Sequence, residues 1–293
     1  MSRTGKAFAA SVAALLLVAG SGGVSAQPAA EPIATPYAMP STQVWDMTSD
    51  VGRKYRIFVS YPGQGEPPAG GYPVLYVLDG NASFASFAEA RRIQEYDAIG
   101  KVIVVGVGYQ TDMPYAEERN EDFIVMDDPP PGKRLGRTKG KSGRDEFLDF
   151  LTGKLRTEIG NRFKIDPDRQ ALFGHSFGGL FALHTLYSKP QAFHSIVVAS
   201  PSLELDAGVL RDERDFVGRL EAGKVGKTSR VMVVVGGRDI DDDPEPARAM
   251  ADRFDRLSGH GLRVRFKRYE EEGHMTVPAR AVTDVLRFAF AMR

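Results

Sequence analysis

From residue 42 onward the chain alternates short, continuous apolar runs with longer segments of helical period. Residues 72–78, 102–107, 170–173, 195–199, 231–235 and 262–269 are of strand length, and the most apolar of them suit strands buried on both faces, as in a parallel sheet. Between them, residues 84–99, 144–163, 180–187, 211–220, 246–257 and 277–292 read as helices. In 144–163 the apolar set Phe147, Leu148, Leu151, Leu155 and Ile159 falls on one helical face. Ahead of this series, residues 43–47 and 54–61 flank a turn at Ser49-Asp50-Val51-Gly52, with Tyr55, Ile57, Val59 and Tyr61 at alternate positions. That pattern predicts an antiparallel hairpin at a sheet edge, against which Trp45 packs. Strands alternating with helices imply an α/β fold: a mostly parallel central sheet with right-handed crossovers, helices on both faces and the N-terminal antiparallel hairpin. One hydrophobic pattern without internal repeats implies one domain over residues 41–293.

Two stretches break the alternation. At the N-terminus, Arg3 and Lys6 precede an apolar run over residues 7–20, too short to span a membrane comfortably, and Val24-Ser25-Ala26 offers small residues for cleavage. Residues 1–26 therefore read as a secretory signal peptide and residues 27–40, rich in Pro and Ala, as an extended linker. The expected location is periplasmic or secreted, with no membrane anchor after cleavage. The second stretch, residues 109–143, is an insertion following a strand. It is mostly acidic over 112–128, then carries Lys133, Arg134, Arg137, Lys139, Lys141 and Arg144 without an intervening acid. Either it is a lid that attracts an anionic substrate or it is a solvated charged loop. It is not a phosphate loop, because Leu135 stands where that motif needs glycine.

Composition narrows the chemistry. With 38 basic and 38 acidic side chains there is no electrostatic reason to expect nucleic acid as a partner. The absence of cysteine excludes disulfides, a thiol nucleophile, a lipoprotein anchor and cysteine-ligated zinc. Nothing in the sequence calls for a cofactor or a metal, and the spacing of Asp241, Asp242 and Asp243 does not match a calcium loop.

The chemistry is carried by Gly174-His175-Ser176-Phe177-Gly178-Gly179, placed between a strand and a buried helix. A serine at a Gly-bracketed strand-to-helix corner is the nucleophile elbow of an α/β-hydrolase, with the expectation that a Cβ two residues to either side would clash. A serine hydroxyl needs a base, and the base needs a partner that fixes its tautomer. Of five histidines, His175 sits inside the elbow, His184 on the following helix, and His194 and His260 ahead of strands. His274 alone follows the last strand, at the sheet edge where Ser176 lies. The acid is expected on the loop after residue 235, which holds Asp239, Asp241, Asp242 and Asp243, and Asp239 comes first. Oxyanion donors are expected from the amide of Phe177 and from Gly80 or Asn81.

Together with Tyr72-Pro73-Val74-Leu75-Tyr76-Val77-Leu78-Asp79-Gly80-Asn81, Ser200-Pro201-Ser202 and Glu272-Gly273-His274, the elbow resembles the esterase family of α/β-hydrolases that holds esterase D, feruloyl esterases, mycolyltransferases and enterobactin-type siderophore esterases. The siderophore-esterase branch is the most similar. The resemblance implies catalysis by Ser176 and His274, oxyanion donors at Phe177 and Asn81, and Arg119 as a contact for anionic catecholate. Some members of that branch resemble Ser-His dyads, in which no acid takes the place expected here for Asp239. The chain departs from the branch after Ser202, where Leu203-Glu204-Leu205-Asp206 stands in place of aromatics. The expected activity is hydrolysis of carboxylic esters through an acyl-enzyme, with catecholate trilactones among the candidate small-molecule substrates. The alternatives are an acyltransferase using the same site and a non-catalytic ligand-binding protein.

Overall fold

The computed structural model describes residues 37–125, 142–206 and 208–291. The expected signal peptide and most of the linker lie outside these residues, as do Lys133, Arg134, Arg137, Lys139 and Lys141. Residues Met39–Arg293 form one compact unit. Among the described residues no helix is long and apolar enough to cross a membrane.

Eight strands form one sheet in the order β1-β2-β4-β3-β5-β6-β7-β8. The hairpin strands β1 (Thr42–Thr48) and β2 (Lys54–Ser60) are antiparallel, and β2 runs antiparallel to β4 (Ile103–Gly108). The remaining strands, β3 (Tyr72–Leu78), β5 (Ile165–His175), β6 (Ser195–Ala199), β7 (Arg230–Gly236) and β8 (Arg263–Tyr269), pair in parallel with one another and with β4. Trp45 packs on the hairpin side with the Arg162 guanidinium 4.1 Å from its ring centroid.

Alternation along the strands divides the core. Val74, Tyr76 and Leu78 face one layer with Leu148, Phe181, Phe216 and Phe254. These last four come from α3 (Gly143–Phe150), α5 (Phe177–Ser188), α6 (Gly208–Glu221) and α7 (Pro244–Asp255). Leu75 and Val77 face the other layer, which is closed by α1 (Gly80–Gln94) and α8 (Val277–Phe290) through Phe87, Val285, Leu286 and Phe290.

Helix boundaries differ from the expected ones for identifiable reasons. The first helix begins at Gly80 rather than near residue 84, because Asp79 takes a left-handed conformation (φ 51°, ψ 51°) and turns the chain directly off β3. A Cβ on Gly80 would lie 2.9 Å from the backbone of Gly106 and Val107, so glycine is what lets this helix start against β4. The helix expected over 144–163 is α3 followed by a π-helical turn at Leu151–Leu155 and α4 (Arg156–Arg162). The insertion is not loop throughout. The short helix α2 (Arg119–Phe123) buries Arg119, Asp122 and Phe123, and Phe123 joins the core.

The chain leaves β3 toward β4 on one side and later proceeds from β5 through β8 on the other. The direction of winding therefore reverses between β3 and β5, and their carboxyl ends open the crevice where doubly wound sheets bind ligands.

Candidate active site

Three neighbouring strands end in strained backbone. Of the four non-glycine residues with positive φ among those described, three terminate strands: Asp79 after β3, Ser176 after β5 (φ 57°, ψ −119°) and Ser200 after β6 (φ 36°). Such conformations cost about 1–3 kcal/mol each and persist where the surroundings over-determine them. Here the parallel ladder continues past the strand ends. Ser176 N–H donates to Ala199 O (3.0 Å) and Ser200 N–H to Val234 O (2.8 Å), while Ser176 O accepts from Gly179 and Leu180.

The elbow glycines are not equivalent. A Cβ on Gly174 would lie 2.0 Å from Gly178 O, which is forbidden. A Cβ on Gly178 would meet nothing closer than 3.5 Å. The expectation of a clash on both sides of the serine is therefore corrected to the amino-terminal side, because the helix beginning at Phe177 carries residue 178 away from β5.

His274 stands on the loop between β8 and α8. That loop is tied to the β7 exit by Gly237 N–H to Tyr269 O (2.8 Å) and Arg238 N–H to Glu272 O (2.9 Å). The tie brings Asp239 Oδ2 to 3.0 Å from His274 Nδ1, with both side chains buried (1% exposed for Asp239, 8% for His274). Asp242 Oδ2 lies 3.4 Å from the same nitrogen. Burial works against the charge of Asp239, but amide donation from Asp242, the His274 contact and the Asp241 amide outweigh it, so its pKa lies below the ordinary carboxylate value. A carboxylate at Nδ1 assigns the ring proton to that nitrogen and leaves Nε2 as the basic one. Among the described residues the Ser176 hydroxyl bonds to Ser202 Oγ (3.2 Å) rather than to the His274 ring. Catalytic hydrogen bonds commonly tighten only when substrate is present.

The other candidates fall around this pair. Phe177 is the first residue of α5 and Asn81 the second of α1, so neither N–H has an intrahelical acceptor. The Asn81 side chain clamps the β4 exit, accepting from Tyr109 N–H (2.8 Å) and donating to Tyr109 O and Thr111 O. Arg119 is buried and forks onto Asp79, Nε to Oδ1 at 2.7 Å and Nη2 to Oδ2 at 2.8 Å. Its guanidinium also lies 4.9 Å from the Phe177 ring centroid. Burial nevertheless pushes the Asp79 pKa up against the pull of Arg119.

Sequence reasoning placed His175 in the elbow without a task. Its Nε2 lies 2.9 Å from the His274 carbonyl oxygen and its ring 4.6 Å, centroid to centroid, from the His274 ring. Burial, with the neighbouring His274, lowers its pKa to about 3, so it stays neutral. A carbonyl can only accept, so Nε2 carries the proton and donates, leaving a buried Nδ1 without a partner among the described residues. Asp79, His175 and Ser202 were the residues missed. The signals for them were adjacency to a strand end and, for Asp79 and Ser202, a place in the stretches that carry the family resemblance. His184 is packed, its ring against Ser188 Oγ and Asp145. His260 is exposed.

A family model described as "Putative esterase" matches residues 48–262. Among curated proteins, the ferri-bacillibactin esterase BesA of Bacillus subtilis is 33% identical over 267 residues, covering 86% of this chain and 91% of that protein. The siderophore triacetylfusarinine C esterase of Aspergillus fumigatus is 35% identical over 190 residues, 62% of this chain and 63% of its own. Among solved structures, the BES protein from Bacillus cereus superposes with a TM-score of 0.74 at 32% identity, covering 88% of this chain and 99% of that one. The siderophore hydrolase EstB from Aspergillus nidulans does so at 0.69 and 28%, covering 88% and 98%.

Proposed function

The chain belongs to the Putative esterase family, has the α/β-hydrolase fold and is an ester hydrolase; from that premise we propose that Ser176 is its nucleophile and that His274, oriented by Asp239, is the general base. The observation that carries this reading is the strained elbow serine at the β3/β5 crevice, with a buried, carboxylate-paired histidine on the neighbouring loops. In the reaction, Ser176 Oγ turns from Ser202 toward His274 Nε2, gives up its proton and bonds to the ester carbonyl carbon. The N–H groups of Phe177 and Asn81 receive the charge that develops on the carbonyl oxygen. Collapse of the tetrahedral intermediate breaks the bond to the alcohol oxygen, which takes the proton from His274. Water then repeats the sequence on the acyl-enzyme and releases the acid.

We assign the substrate to siderophore esters, on the strength of relatives named as ferri-bacillibactin and triacetylfusarinine C esterases. Arg119 has two nitrogens committed to Asp79, which leaves Nη1 as the atom that can meet an anionic substrate group. Residues 1–26 direct the protein to the periplasm or exterior. The test is a hydrolysis panel comparing catecholate trilactones and hydroxamate triesters, iron-free and ferric, with short p-nitrophenyl esters. The reading predicts a kcat/KM for at least one siderophore ester far above that for the p-nitrophenyl esters. Equal or lower values across the siderophore panel reject the substrate assignment.

A further inference from the structure

The loop after β6 does more than complete the crevice wall. Ser200 holds a positive φ, and two residues later Ser202 presents its hydroxyl between two groups of the site. Ser202 Oγ donates to Asp242 Oδ2 at 2.8 Å. Its one proton is thereby used, so at 3.2 Å from Ser176 Oγ it accepts from the Ser176 hydroxyl. Asp242 Oδ2, held there, also faces His274 Nδ1 at 3.4 Å, beside the 3.0 Å contact of Asp239. Two hydrogen-bonded arms therefore leave the nucleophile-base pair. One runs from His274 to Asp239. The other runs by hydrogen bonds from Ser176 through Ser202 to Asp242, whose carboxylate then faces the same imidazole nitrogen as a 3.4 Å charge contact.

We propose that Ser202 and Asp242 are positioning residues that form a second carboxylate arm, so that Asp239 and Asp242 together orient His274 and stabilise its imidazolium. The inference rests on Ser176 and His274 being the catalytic pair. It accounts for the strained turn at Ser200, since an unstrained exit from β6 gives no reason for a hydroxyl to bridge the nucleophile and an acid 40 residues away. The groups facing Asp242 are Ser202, His274, Asp239 and Asp241, and burial with the two acids raises its pKa against the pull of Ser202 and His274.

The experiment is a double-mutant cycle in the full-length protein with D239N, D242N and the double variant. Asparagine at 239 keeps an Oδ1 acceptor for the amides of Asp241 and Asp242, so the loop survives the change. Shared duty predicts that D242N costs little kcat/KM in the wild-type background and about tenfold more in the D239N background, a coupling in the range seen for groups in contact. S202A should deepen the D239N defect, and S202T, which restores the hydroxyl, should recover it. Equal losses from D242N in both backgrounds, or an S202A change that leaves D239N unaffected, overturn the second arm while leaving Ser176 and His274 untouched. Activity surviving in S176A instead overturns the parent reading.

Discussion

The Arg119–Asp79 fork is where the structure makes its least expected demand. Asp79 sits at 3% exposure in a left-handed turn that launches the helix carrying Gly80 and Asn81. Arg119 joins that turn to Phe177 across the crevice, so one buried ion pair braces both segments proposed to supply oxyanion donors. Replacing Arg119 by Ala leaves the Asp79 carboxylate buried and unpaired, a change that costs about 3–5 kcal/mol. For a chain of this size each kcal/mol moves Tm by about 2–4 °C, so the expected fall is roughly 6–20 °C. The loss should depend on pH. Burial already raises the Asp79 pKa, and removing Arg119 raises it further. A folded-state pKa above the unfolded one means stability is lost as pH rises toward it, so R119A should be closer to wild type at pH 5 than at pH 8. Thermal unfolding followed by circular dichroism, with kcat and KM measured on a neutral ester below Tm, gives the readout. We expect kcat to fall with little change in KM, and R119K to recover only part of the loss because an ammonium cannot fork. An unchanged Tm with KM raised only for anionic esters refutes the brace and leaves Arg119 as a substrate anchor alone.

Three further outcomes are expected. His175→Leu removes the donor to the His274 carbonyl and should lower kcat, whereas H175Q, whose amide can reach the same oxygen, should recover most of it; equal defects in both contradict the positioning role. Gly174→Ala should abolish folded, active protein because of its 2.0 Å contact, while G178A, in the first turn of α5, should be tolerated or gain up to about 1 kcal/mol; the two are separated by urea unfolding and an ester assay. Asp122, whose pKa burial pushes up to about 7 against the pull of Arg53, keeps its proton longer when folded than when unfolded. Its contribution to stability is thus fully present below 3.8, the ordinary aspartate value, and lost as pH rises to about 7. Relative to D122N the protein should lose up to about 4 kcal/mol across that window, and parallel stability curves for the two proteins refute it.

Much of this arrangement was legible because the relevant signals are local. A strand buried on both faces must be apolar throughout, so β3, β6 and β7 emerge nearly to the residue. The elbow is a local backbone device, and sorting histidines by sheet edge needs only strand order along the chain. What was not legible depends on contacts between distant residues. The order β2-β4-β3-β5 follows from which apolar faces meet, and strand composition does not encode that. Asp79 and Arg119 are 40 residues apart, and so are Ser202 and Asp242; neither pair has a spacing that announces it. Arg119 lies in a stretch so rich in acids that its buried helix reads as solvated loop. The early start of α1 escaped because left-handed aspartate is a choice of backbone, made affordable by Arg119 and invisible in helix periodicity.

The central claim is that Ser176 is the nucleophile. Its most direct test is covalent labelling of the intact protein with a fluorophosphonate at neutral pH, followed by peptide mass spectrometry, in wild type, S176A and H274A. The account predicts one phosphonyl adduct per chain on the peptide bearing Ser176, absent in S176A and strongly slowed in H274A. An adduct on another serine, or equal labelling of S176A, contradicts it.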